Sequence, residues 1–153
     1  MDRYEPPSAF LKSLIDDDAS LTGPEGESHR RRLMTLMRDE HPANRDWATL
    51  LLAQQDLDTD EVRQALLSAA EDENECVRAE AILGLAQRDR ALALPLIRRE
   101  LSHERVAVPL FEAAALVADP SLVDDLRDFS VPSDDAFLDE LAAKALSACE
   151  AAA

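Results

Sequence analysis

Apolar residues recur along this chain at the i, i+4 spacing of amphipathic helices, and the pattern itself repeats. Thr59-Asp-Glu-Val-Arg-Gln-Ala-Leu66, Asp89-Arg-Ala-Leu-Ala-Leu-Pro-Leu96 and Asp119-Pro-Ser-Leu-Val-Asp-Asp-Leu126 are three copies of one segment. Each opens on a residue suited to cap a helix (Thr59, Asp89, Asp119), and the copies are 30 residues apart. Val62, Leu92 and Leu122 keep that spacing, as do Leu66, Leu96 and Leu126. Pro120 falls at a first helical position, where its missing N–H costs nothing. A second family of helices lies between these. Arg45-Asp-Trp-Ala48 recurs as Arg78-Ala-Glu-Ala81, and Leu52-Ala-Gln54 as Leu85-Ala-Gln87, 33 residues on. The third copy is blurred, with Glu112-Ala113 standing for Glu80-Ala81. The fourth, residues 135–149, sets Phe137, Leu141, Ala145 and Leu146 on one face. The longer loop Asp56-Leu-Asp-Thr59 absorbs the mismatch between the two spacings. Antiparallel helix pairs repeating at this period predict an all-α fold, an α-solenoid of about four helix pairs with a closing C-terminal helix.

The first 43 residues are less regular. A helix is expected around Ser8–Ile15, then a break through Asp16-Asp-Asp-Ala-Ser-Leu-Thr-Gly-Pro-Glu-Gly. Ser28 is the expected cap of a helix reaching Arg38, and Leu36 and Met37 stand 30 residues before Leu66 and Leu67. The reading is one domain over 1–153: an N-terminal pair and cap at 1–43, units at 44–72, 73–102 and 103–130, and the closing helix at 134–149.

Composition removes several function classes. The chain has 153 residues, a one-domain length. Apolar residues make up 46%, too many for a disordered acidic tail. Six aromatic residues and three glycines are too few for a β-sandwich, and Gly23, Gly26 and Gly84 build no phosphate loop. The net charge of −16 opposes counterion release from nucleic acid, so no nucleic-acid partner is expected. No apolar run approaches a membrane span, and the N-terminus lacks a secretory pattern, so a cytoplasmic protein without a membrane partner is expected. Cys76 and Cys149 belong to no Cys-x-x-Cys motif and are expected to behave as small buried hydrophobes.

Asp72-Glu-Asn-Glu-Cys-Val-Arg-Ala-Glu-Ala-Ile-Leu-Gly-Leu-Ala86 resembles the HEAT repeat, in particular the short bacterial phycobilisome-lyase-type HEAT-like repeats. Their pattern is an Asp in the turn, Val-Arg, a small residue three positions beyond the Arg, and Leu-Gly-Leu. Arg45-Asp-Trp-Ala-Thr-Leu-Leu-Leu-Ala53 resembles the same element, and the likeness covers roughly residues 28–149. Val106-Ala-Val-Pro109 departs from it. The resemblance implies that Asp39, Arg45, Asp72 and Arg78 form a structural ladder tying neighbouring units together. It also implies that the second helices line a concave face, which would put Arg38, Arg63, Arg98, Arg99 and Arg127 there as tentative partner-binding residues. The 30-residue offset aligns Arg38, Ser68, Arg98 and Asp128.

No chemistry-bearing constellation emerges. Asp56, Asp58 and Asp60 have calcium-loop spacing, but Glu61 stands where Gly is needed and Leu67 where a bidentate Glu is needed. His29, His41 and His103 form no zinc pair, and no serine sits in a nucleophile elbow. Trp47 is expected to pack between units. The expectation is therefore a protein without catalytic residues, metal or cofactor, a monomer or weak dimer that binds another protein through its concave face. Two alternatives stand beside it. One is an acidic protein that neutralises a basic partner such as a nuclease toxin, because residues 106–153 hold ten acids against Arg127 and Lys144. The other is a lyase or glycosylase on a helical-repeat scaffold.

Overall fold

Capping side chains set most of the helix starts. In the computed structural model, which describes residues 4–153, Ser8, Thr59, Asn74, Asp89 and Asp135 each accept a backbone N–H two or three residues ahead. The first three residues of the expected 1–43 segment lie outside the described residues. The helices are α1 (Ala9–Ile15), α2 (Gly26–Leu36), α3 (Pro42–Ala53), α4 (Asp60–Ala69), α5 (Glu75–Arg88), α6 (Arg90–Leu101), α7 (Val108–Val117), α8 (Val123–Arg127) and α9 (Ala136–Ala151). A 3-10 turn at Pro120–Leu122 leads into α8, with Asp119 accepting from the Ser121 N–H. The described residues are thus all-helical, with no strand. No helix among them is long and apolar enough to cross a membrane.

One expected start moves. Ser28 does not cap α2, which begins at Gly26 after Glu25, a residue making no side-chain cap. The turn before it nucleates the helix instead. Gly23 adopts a left-handed φ of 81°, the Gly26 N–H bonds to its carbonyl, and Arg30 Nη1 reaches the Leu21 carbonyl at 2.6 Å. Gly26 sits so close that a Cβ would meet the Leu21 oxygen at 2.7 Å.

Two layers result. The helices α3, α5, α7 and α9 pack each on the next, and α2, α4, α6 and α8 lie against them on the other side. Small residues set the spacing of the first layer: Ala48, Ala53, Ala79, Ala81, Ala113, Ala114 and Ala145 are all buried. Gly84 lets α5 approach α3 closely, since a Cβ there would meet the Ala53 Cβ at 2.8 Å. Larger side chains fill the space between the layers, among them Leu52, Leu66, Ile82, Leu85, Ile97, Leu122 and Leu126, all fully buried. Cys149 shares this core, its Sγ 3.7 Å from the Ala114 carbonyl, whereas Cys76, also expected inside, is exposed near the start of α5. Cys76 stands in the first turn of α5, where burial and the nearby Asp46 charge raise the pKa of its thiol.

Candidate interaction site

The turns that precede the first-layer helices carry a repeated polar motif. Arg45 lies four residues after the α3 cap His41, and Arg78 four after the α5 cap Asn74. Each guanidinium turns back on its own loop. Arg45 Nη1 donates to the carbonyls of Asp39 and Glu40, and Arg78 Nη1 to those of Asp72 and Glu73. Each also reaches a carboxylate beyond its own helix and loop. Arg45 makes a bidentate pair with Asp72, at 2.9 and 3.3 Å, and Arg78 Nε meets Glu100 at 2.7 Å. Two parallel N–H donors facing two carboxylate oxygens fix the relative position of two helices better than a point charge does.

Of the four expected ladder residues, Arg45, Asp72 and Arg78 come together in this way. The Asp39 carboxylate instead accepts from the His41 N–H and Asn44 Nδ2, and those bonds hold its pKa below the ordinary value. The partner of Arg78 was not legible in the sequence. Glu100 is only 5% exposed and lies on α6, outside the 33-residue register, where it also meets Arg99.

The five arginines expected on one face have separate fates. Arg63 is held by Asp58 and Asp89. Arg99 pairs with Glu71 and Glu100 and donates to the Ala70 carbonyl at the end of α4. Arg127 pairs with Asp124 on its own helix. Arg38 and Arg98 are exposed, and their side chains make no hydrogen bond or ion pair with the described residues. Of the aligned column, Arg38 and Ser68 line one cleft of about 1150 Å³ between α2 and α4. Met34, Met37, Ala65 and Ala69 give it an apolar floor, and Asp39, Arg45 and Asp72 close it at the ladder. The other four arginines do not line it. An unpaired guanidinium beside a methionine floor suits an extended segment that supplies both an anion and an apolar side chain.

A second polar feature lies on the first layer. Tyr4 stacks on Trp47, with centroids 6.0 Å apart, and its hydroxyl donates to Asp46 at 3.0 Å. The Trp47 Nε1 is buried with no acceptor among the described residues. Glu80 makes no hydrogen bond or ion pair with the described residues, and its carboxyl is pushed up to about 7, first by burial and then by the charges of Asp46 and Glu112. A folded pKa above the ordinary value stabilises fully only below that ordinary value, and the contribution is lost as pH rises through about 7. Glu80→Gln is therefore expected to melt higher than the parent at about pH 8, by on the order of 2 kcal/mol after screening. Paired thermal melts check this: the gap should narrow as pH falls toward about 4.5. A gap independent of pH contradicts the assignment.

Among the described residues no group of three His, Cys, Asp or Glu side chains converges as a metal ion requires. No protein-family model matches the chain. It is similar to protein YibA of Escherichia coli, in strain K12 and in O157:H7, with 29% identity over 128 residues in each. That alignment covers 84% of this chain and 42% of YibA, so the chain spans less than half the length of these relatives. The X-ray structure of Escherichia coli YibA superimposes with a TM-score of 0.61 at 22% identity, covering 92% of this chain and 54% of the other. This likeness is one of fold.

Proposed function

We propose that the chain is a short HEAT-like α-solenoid, cytoplasmic and non-catalytic, that binds another protein along its row of second helices. The observation that carries this reading is the cleft between α2 and α4, where the unpaired Arg38 faces a floor of Met34 and Met37. Side chains that serve the fold are satisfied internally, as Arg45, Arg78 and Arg99 are. Arg38 is not, and its cation is available to a partner's carboxylate or backbone carbonyl.

The test compares affinity capture by the parent and by Arg38→Glu. The Arg38 side chain makes no bond with the described residues, so the variant is expected to melt as the parent does while its captured partner binds about tenfold more weakly. Unchanged capture of the same partner rejects the cleft as the site. Arg99→Glu is a poor substitute, because it also removes the donor to the Ala70 carbonyl at the end of α4 and sets a second carboxylate beside Glu100.

A neutraliser of a basic partner remains the second reading. It is favoured by unpaired carboxylates gathered toward the C-terminal end, at Glu104 and Asp128.

A further inference from the structure

The arginine four residues after the cap, present in α3 and α5, is missing from the next two helices of that layer, α7 and α9. In α7 the cap is Ala107 and the fourth residue is Phe111; in α9 the cap is Asp135 and the fourth residue is Asp139. Asp139 performs the same task with inverted charge. It accepts from the N–H and Oγ of Ser133, two residues before its cap, where Arg45 and Arg78 donate to a carbonyl. Phe111 performs no such task. It is 1% exposed and meets Phe129 edge-on at 5.4 Å. The two carbonyls that a guanidinium would cover in this unit belong to Arg105 and Val106, and no described residue donates to either.

A groove of about 370 Å³ opens at this place. Its floor is apolar, made by Val106, Phe111, Phe129 and Leu138, and Val131 stands at its mouth 71% exposed. Glu75, Glu104 and Asp128 line it without an ion pair among the described residues, against a single unpaired cation, Arg105. We propose that this groove docks a basic segment of a partner protein, an arginine beside a branched apolar residue. The guanidinium takes the place that Arg45 and Arg78 fill in the earlier units, over the Phe129 ring and near the free carbonyls. The apolar residue covers Val131 and Leu138. The charge balance decides between occupants, since an acidic or neutral segment gains nothing from three unpaired carboxylates. The groove is separate from the cleft between α2 and α4, so this inference does not rest on the role of Arg38.

The test uses the full chain and a fluorescein-labelled Arg-Leu-Arg-Leu-Arg peptide, with Glu-Leu-Glu-Leu-Glu and Arg-Ser-Arg-Ser-Arg as controls, read by polarisation. Saturable binding is expected for the first peptide alone, weakening steeply with salt. Val131→Arg, and separately Glu104→Lys with Asp128→Lys, are each expected to weaken it about tenfold. All three positions are exposed, and circular dichroism melts establish that each variant is folded. Arg38→Glu should bind the peptide as the parent does, whatever its effect on partner capture. The proposal is overturned if the arginine-leucine peptide does not bind, if either control binds equally, or if the groove variants bind unchanged. It is also overturned if sedimentation shows a dimer that Val131→Arg dissociates, since the occupant would then be a second copy of the chain.

Discussion

Replacing Arg88 with methionine is expected to cost about 3 kcal/mol and to lower the melting temperature by several degrees. Arg88 closes α5, and its guanidinium donates to the carbonyls of Leu52, Ala53, Gln55 and Leu57 at 2.8–3.4 Å, and to Gly84 on its own helix at 2.8 Å. A helix end leaves its last carbonyls without partners, and this one also opens into the irregular stretch before α4. One planar fork satisfies the whole group. Burial lowers the pKa of this half-buried guanidinium despite the nearby Asp58. Methionine keeps the length and the apolar stem, so the loss reports the donors. Lysine keeps the charge but not the fork and should recover less than half of the difference. A denaturant melt with unchanged slope and unchanged midpoint would remove Arg88 from any structural role.

Breaking the first rung is the other large effect. Arg45 and Asp72 have side chains only 10% and 11% exposed, so removing one strands a charge in a place water barely reaches. Arg45→Met and Asp72→Ala are each expected to cost about 3 kcal/mol. The double variant should cost clearly less than their sum, because neither charge is then left alone. Additive losses in urea melts would mean that the two act through their separate loop contacts and not through each other. Those contacts exist: Arg45 on the Asp39 and Glu40 carbonyls, and Asp72 accepting from the Asn74 N–H.

What the sequence carried well was local. Caps at Thr59, Asp89 and Asp119, with Val62 and Leu66 and their 30-residue repeats, are short-range signals, and the helices stand where those signals fall. Ser28 misled because a serine near a helix start looks alike in the first turn and at the cap. The turn that governs the start depends on Gly26 lying against Leu21, a contact no pattern announces. The candidate site was legible only in part for a related reason. Arg45 and Asp72 repeat with the units, so their pairing could be anticipated from the resemblance. Glu100 and Arg88 do not. Glu100 enters from the second helix of its unit, and Arg88 aligns with Gln55 in the preceding copy. Of the arginines grouped on one face, Arg63, Arg99 and Arg127 each took a nearby carboxylate while Arg38 and Arg98 took none, and the 30-residue column cannot weigh Asp58 or Glu71 against a partner.

The packing between helices has a consequence for how the chain reaches this state. Every principal contact joins helices one or two places apart in sequence, such as α3 with α5 or α6 with α8. Each contact therefore closes a short loop, and the entropy spent before the first native pair forms is small. Assembly can begin at whichever neighbouring pair docks first and spread outward, as a zipper closes from any tooth.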